Sequence, residues 1–329
     1  MTLSPETQNA ELRANIAPRE VPTVVDSRHG AELNAPMDGP LFPLVSTASP
    51  LTLHNPLRQT VPLVFASPHS GRDYPTDFLA AARLDPHNLR RSEDSFVDEL
   101  FAAAPAHGAP LLVANFPRAF CDANREAWEL DPTMFTDTLP SWVNTTSPRV
   151  GAGLGTIARV VASGEAIYRD KLLFAEAERR IRDCWQPFHD VLQDLIATTR
   201  RNFGTCLLID CHSMPGHGCA GRSGSGTELV LGDAHGTTCA PRTTRLIEQI
   251  LADLGYAVRR NDPYAGGYIT RHYGRPRDGI HAVQLEIARP LYMDEHRIQR
   301  GPAFARLQAD LTSFIGTLAA AIPALVNAA

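Results

Sequence analysis

Three observations lead to the expectation of an α/β fold with a mostly parallel sheet. Short apolar runs alternate with helical patterns along most of the 329 residues. The runs at 61–66, 205–210 and 282–287 are near-continuous in apolar residues, as buried strands are. Each also leads into residues that can do chemistry: Ser-Pro-His-Ser-Gly (67–71), Asp-Cys-His-Ser-Met (210–214) and Leu-Glu-Ile (285–287). In an open α/β sheet, ligands gather at the carboxyl ends of the strands.

The elements follow in order. Prolines recur through residues 1–45 (Pro5, Pro18, Pro22, Pro36, Pro40, Pro43) with no sustained period, which reads as a partly disordered arm, or one that packs on a partner subunit. Residues 46–329 are expected to form a single catalytic domain. Its first buried strand covers 61–66, with Pro62 near its start, where a missing donor costs little. Helices are expected over 76–83 and 94–104, the second with a stripe of Phe96, Val97, Leu100 and Phe101. A strand at 111–114 leads into Asn-Phe-Pro-Arg-Ala-Phe-Cys-Asp-Ala-Asn-Arg (115–125). Residues 126–164 are loop-rich and read as a lid or binding loop. The longest helix is expected over 165–201, kinked at Pro187 and stopped by Gly204. The strand of 205–210 precedes a stretch, 216–226, with five glycines in eleven residues, which reads as a mobile loop. A short strand at 228–231, a helix at 241–254 with proline in its first turn, a strand at 256–260 and a polar loop over 261–279 come next. The strand of 282–287 and an amphipathic helix over 302–321 complete the chain.

Composition excludes several classes. A net charge of −5 without a basic run speaks against nucleic acid or an anionic membrane. No apolar run is long enough to span a membrane, and no signal peptide is evident. The six cysteines (121, 184, 206, 211, 219, 239) form no CxxC pair, so reduced thiols in the cytoplasm are expected.

Two histidines at strand ends, His69 and His212, suit a catalytic zinc site, which takes three protein ligands and keeps one position open. The third ligand should be a carboxylate or another histidine. The pair Glu93–Asp94 is conspicuous, and helix capping explains it equally well. Glu286 lies in a strand that otherwise reads as core. A buried carboxylate is costly unless paired, hydrogen-bonded or on a metal, so Glu286 reads as a general base and then acid. Arg118, Arg125 and Arg271 lie in loops, where a planar guanidinium can clamp a carboxylate or polarise a carbonyl. His272 reads equally as a site residue or as a structural histidine.

Ser-Pro-His-Ser-Gly, Asp-Cys-His-Ser-Met, Gly-Gly-Tyr-Ile-Thr-Arg-His-Tyr-Gly (266–274) and His-Ala-Val-Gln-Leu-Glu-Ile (281–287) together resemble the N-formylglutamate amidohydrolase family, over roughly residues 60–320. The Asp-x-His-Ser and Leu-Glu strands also resemble those of the zinc carboxypeptidases. The resemblance implies a phosphorylase/hydrolase-like α/β fold with a mixed, mostly parallel twisted sheet. It implies His69 and His212 as ligands of one Zn2+ or another divalent metal, and Glu286 as the catalytic carboxylate. Arg72 stands where the carboxypeptidases carry the Glu of their His-x-x-Glu motif, so the third ligand must come from elsewhere. Asp94 best matches the amidohydrolases' acidic segment, with Glu93 next in line. Arg118, Asn124, Arg125 and Arg271 fall in segments similar to the family's substrate-binding loops, with Arg118 assigned to the oxyanion. The implied reaction is hydrolysis of N-formyl-L-glutamate, a small anionic N-acyl amino acid, to formate and L-glutamate. Another N-acyl amino acid, a zinc carboxypeptidase or a binding protein on a hydrolase scaffold stays open, as does a homo-oligomer.

Overall fold

The computed structural model describes residues 49–161, 163–216 and 226–326. The proline-rich arm of 1–45 and nearly all of the glycine loop of 216–226 lie outside them. Seven strands build one sheet: β1 (Leu51–His54), β2 (Leu63–Ser67), β3 (Leu111–Ala114), β4 (Cys206–Met214), β5 (Leu229–Gly232), β6 (Val258–Arg260) and β7 (Ile280–Ala288), in the order β1-β3-β2-β4-β7-β5-β6. β1 runs antiparallel to β3 and β5 antiparallel to β7. The other neighbours run parallel, so the sheet is mixed and mostly parallel, as the resemblance implied.

Side chains alternate across each strand, and the two faces of this sheet part the sequence cleanly. Val64, Ala66, Leu112, Ala114, Cys206, Leu208 and Ala282 point into one core, under Phe188, Leu192 and Ile196. Leu63, Phe65, Leu207, Ile209, Cys211, Val283, Leu285 and Ile287 point into the other, with Val97, Ile247, Leu311 and Phe314. The first face is covered by α6 (Gln186–Phe203) and the second by α7 (Pro241–Asp253) and α9 (Phe304–Val326). The even-numbered face of β4 and β7 is therefore apolar where the strands begin. It turns polar where they end, at Asp210, His212, Gln284 and Glu286. The five described cysteines are buried and unpaired. No helix among the described residues is long and apolar enough to cross a membrane.

Several elements differ from expectation, each for a physical reason. β4 does not stop at residue 210 but pairs with β7 along its whole length, from Cys206 to Met214. His212, expected at the strand's end, is thus held in register with two strand residues still to follow. The helix expected over 94–104 is reduced to α3 (Val97–Leu100). The amide of Asp94 donates to the carbonyl of His69 at 3.0 Å, and Phe96 takes the left-handed conformation at φ 69°, so the chain cannot become helical before Val97. The long helix begins at α5 (Phe174–Arg180) rather than 165, passes through a π-turn at Ile181–Trp185 and continues as α6. The kink expected at Pro187 is that π-turn, which lets the proline sit at the start of a new helix. Gly204 ends α6 in the left-handed conformation. The loop expected over 261–279 contains α8 (Tyr268–Tyr273), seated on β7 and β4. Four shorter helices were outside or within expectation: α1 (Thr76–Ala81), α2 (Pro86–Arg90) and α4 (Pro148–Gly151) join α3 in the connections.

Candidate active site

The site lies where β2, β4 and β7 end, on the even-numbered face of the sheet. His69 follows β2 in a loop pressed against the exit of β3. Gly71 permits that approach, since a Cβ there would stand 2.2 Å from the carbonyl oxygen of Phe116 and 2.7 Å from that of Ala114. The bond between the Asp94 amide and the His69 carbonyl fixes the next acidic segment beside it. His212 pairs with Glu286 across the parallel β4–β7 ladder. Four sequence-distant residues are thereby brought to one place: His69, Asp94, His212 and Glu286, exposed by only 2, 1, 3 and 6%.

One nitrogen of each histidine and one oxygen of Asp94 lie within 4.8 Å of one another. Asp94 Oδ2 is 3.0 Å from His212 Nδ1 and 3.5 Å from His69 Nδ1. The far nitrogen of each ring meets a buried carboxylate: His69 Nε2 lies 2.7 Å from Asp122 Oδ1, and His212 Nε2 lies 2.8 Å from Asp210 Oδ1. An ionised carboxylate only accepts, so in the neutral rings each Nε2 carries the proton and each Nδ1 turns a lone pair to the common point. His69 Nδ1 is buried with no hydrogen-bond partner among the described residues. An orphaned, inward-facing lone pair beside a second imidazole and a carboxylate fits a divalent cation, and carboxylate–histidine pairs are the usual support of such a site.

The electrostatics agree. Burial alone would push the Asp94 carboxyl up, yet the imidazoles of His212 and His69 hold it well below the usual carboxylate range. Burial opposes a charged His212, but Asp210 and Asp94 raise its pKa well above the ordinary histidine value. The cluster demands positive charge, as protons on imidazole or as a metal ion. Glu286 is pushed up to about 7, chiefly by burial, with Asp94 and Asp210 adding repulsion against His212's attraction. Its Oε1 accepts from Gln284 Nε2 at 2.6 Å.

A cavity of about 610 Å³ opens over the cluster, and residues of the 126–164 segment, including Arg149, Leu154 and Val160, form part of its wall. Arg118 lines it, its Nη2 donating to Asp122 Oδ2 at 2.8 Å. Arg271 lines it from α8, with Nε on the Gly266 carbonyl at 3.1 Å. Arg125 lines it too, but its Nε and Nη1 are taken up by the carbonyls of Leu154 and Asn124, each at 2.8 Å. Asn124 acts as a bracket. Its amide N–H donates to Asp122, its Oδ1 accepts from the amide of Ile269, and its Nδ2 donates to Asp210 Oδ2 at 3.5 Å.

His272 is not brought to the cavity. It stacks on Tyr268 at 4.8 Å and lines a separate depression with Gln193, Arg200 and Tyr273, because the six-residue helix α8 turns it away from the face that bears Arg271. Glu93 also turns aside, to Arg90, Tyr74 and Ser95. Arg72 is part-exposed and pairs with Asp98 and Glu99. Two residues escaped the sequence reading. Asp122 was legible only as a neighbour of Arg125, although its spacing to Arg118 and Arg125 carries a charge pattern. Arg289, three residues beyond Glu286, donates to Asp94 Oδ1 at 3.1 Å, to the Glu93 carbonyl at 2.7 Å and to Ser213 Oγ at 3.1 Å. It holds Asp94 so that Oδ2 faces the histidines.

The sequence matches the family described as N-formylglutamate amidohydrolase over residues 61–293. An N-formylglutamate deformylase of Pseudomonas aeruginosa is 31% identical over 242 residues, which is 72% of this chain and 84% of the relative. A second, from Pseudomonas putida, is 29% identical over 238 residues, 71% of this chain and 83% of the relative. The crystal structure of an N-formylglutamate amidohydrolase from Ralstonia eutropha superposes with a TM-score of 0.77 at 38% identity, covering 83% of this chain and 98% of that one. A gene product from Agrobacterium tumefaciens, at 18% identity and a TM-score of 0.56 over 84% of this chain and 96% of that one, shares the fold. The stretch matched contains every residue of the buried cluster, from His69 to Arg289, and on that extent of agreement the chain belongs to the N-formylglutamate amidohydrolase family of hydrolases.

Proposed function

We propose that the protein hydrolyses N-formyl-L-glutamate to formate and L-glutamate at this site. The observation that carries the reading is the convergence of two buried imidazole Nδ1 atoms and one Asp94 oxygen beside a buried Glu286, in a cavity lined by guanidinium groups. The relatives' names supply the substrate. His69, Asp94 and His212 would hold a zinc ion or another divalent metal. When bound it supplies Lewis acidity, which makes water nucleophilic near neutral pH and polarises the formyl oxygen.

The protein's own groups do the rest. Glu286 takes a proton from the attacking water as its oxygen bonds to the formyl carbon. It returns that proton to the amine nitrogen as the C–N bond breaks. Arg118, held by Asp122, keeps positive charge beside the oxyanion. Its own charge is secure: burial works against it, but Asp122, Asp94 and Glu286 raise its pKa above the ordinary arginine value. Arg271 meets a substrate carboxylate. Arg125, its fork already engaged, adds charge and fixes the wall.

The test is metal content together with formate release for wild type and Glu286→Gln. Glu286→Gln should keep its metal and lose about 10²–10⁴ in kcat, the usual worth of a positioned acid–base group. A Glu286→Gln protein that works at the normal rate removes Glu286 from the chemistry. Activity that survives complete chelation removes the metal.

A further inference from the structure

We propose that Arg149, in the segment of 126–164, recognises the side-chain carboxylate of the substrate and so makes the enzyme selective for an acidic amino acid. The inference rests on the reading of the substrate as an N-formyl dicarboxylate.

Among the described residues five arginines line the cavity: Arg118, Arg125, Arg149, Arg271 and Arg289. Three are engaged inside the protein. Arg118 pairs with Asp122 at 2.8 Å and Arg289 with Asp94 at 3.1 Å. Arg125 donates to two carbonyls and sends Nη2 toward Asp122 at 3.9 Å. Arg149 and Arg271 have no carboxylate partner among the described residues, although both line the cavity. Two uncompensated guanidiniums in one cavity suit a ligand with two carboxylates.

Arg149 is preorganised. It sits in the short helix α4 (Pro148–Gly151), whose start is capped by Ser147 Oγ accepting from the Val150 amide at 3.2 Å. The Arg149 carbonyl accepts from the amide of Leu154 at 2.8 Å, and the Leu154 carbonyl accepts from Arg125 Nε at 2.8 Å. Arg125 therefore braces the turn that carries Arg149. The two guanidiniums are close enough to feel each other. Burial first, then the charges of Arg118 and Arg149 against the pull of Asp122, bring the Arg125 pKa down to about 10. An anion arriving between Arg149 and Arg271 relieves that repulsion.

The wiring also divides the two carboxylates. In the substrate the α-carboxylate is three bonds from the formyl carbon and the side-chain carboxylate five. Arg271 is bonded to Gly266, and the next amide, Gly267, donates to Gln284, the residue that bonds Glu286. That short path to the residue that holds Glu286 is the ground for giving Arg271 the α-carboxylate. Arg149 is carried by the outer segment of 126–164, which leaves it the distal group.

The experiment compares metal-loaded wild type, Arg149→Gln and Arg149→Lys on N-formyl-L-glutamate, N-formyl-L-glutamine and the α-amide, N-formyl-L-isoglutamine. Binding of L-glutamate and L-glutamine is measured by calorimetry in parallel. The side chain of Arg149 makes none of the backbone bonds that hold its turn, so the variants should fold. Arg149→Gln should lose about 100-fold in kcat/KM on the formylglutamate, mostly through KM, the usual order for losing a charged hydrogen bond to a carboxylate. It should leave the formylglutamine rate unchanged, and Arg149→Lys should recover part of the loss. Equal losses on all three compounds, or losses on the formylglutamate and the formylglutamine that spare the α-amide, overturn the proposal. If wild type releases no formate yet binds L-glutamate through Arg149, the proposed reaction falls and the recognition stands. If wild type releases formate and Arg149→Gln is just as selective, the recognition falls and the reaction stands.

Discussion

Asp122 and Asp210 do the same task for different histidines, each accepting a hydrogen bond from Nε2–H so that the Nδ1 lone pair is free. Asp122 carries more than that: it also holds Arg118 and accepts the amide of Asn124. Its carboxyl stays well below the usual range despite burial, because His69, Arg118 and Arg125 surround it with positive charge. Replacing it with alanine should lower metal affinity by about 10–100-fold, the usual cost of losing such a partner, and should lower kcat beyond that by freeing Arg118. Competition against a chromogenic chelator would read the first effect. Unchanged affinity would mean that His69 is oriented by its packing against His212, at 4.7 Å between ring centroids, and not by Asp122. Of these residues His69, His212 and Glu286 were legible in the sequence, because each stands out against an apolar strand or in a glycine-bounded loop. Asp122 and Arg289 were not, since surface loops are full of Asp and Arg and only the fold turns these two inward.

At the scale of elements, the site depends on two contacts too close for any side chain. The His69 loop touches β3 through Gly71, and α8 is locked by Gly267, where a Cβ would stand 2.4 Å from the side-chain Nδ2 of Asn124. A Gly71→Ala substitution must move backbone against backbone. It should destabilise by about 1–3 kcal/mol, as overpacking does, and shift His69 from its partners. Chemical denaturation and metal titration of the same variant would check both effects. An alanine variant with unchanged midpoint and affinity would show that the loop can retreat freely. The strands of 61–66, 111–114 and 282–287 were read close to their true bounds because continuous apolar runs mark buried strands. The extension of β4 through His212 and the truncation of α3 were not, because ladder pairing with β7 and the bond to the His69 carbonyl overrule local propensity.

At the scale of the whole molecule, α6 is joined to the site through His189, which is buried beneath Ala123. Its Nε2 donates to the Ala123 carbonyl at 2.8 Å, and its Nδ1 lies 2.9 Å from the Tyr273 hydroxyl. Burial, above all, lowers its pKa to about 3. In the unfolded chain it titrates near 6.5. A depressed pKa means stability that is present above 6.5 and lost as pH falls, because the unfolded chain binds the proton first. Between pH 6.5 and 3 the loss from this group should approach about 4 kcal/mol. Urea unfolding across that range should show a shallower decline for His189→Gln than for wild type. Parallel slopes would locate the acid sensitivity in the carboxylates of the site instead.

The sequence by itself determined the class of fold, six of the sheet's seven strands in their order along the chain (the antiparallel edge strand β1 was not among them) and three of the groups at the strand ends. These follow from local periodicity and from polar residues placed where burial makes them costly. Only the tertiary structure placed Asp94, and not Glu93, beside the two histidines, set His272 apart from the cavity and engaged Arg125 with carbonyls while leaving Arg149 without a carboxylate partner among the described residues. The reason is that a strand's two-residue period specifies which face a side chain takes. In a loop the direction of a side chain is set by partners far away in the chain, and the bonds from Arg289 to Asp94 and from Arg125 to Leu154 exist only once the sheet has brought them together.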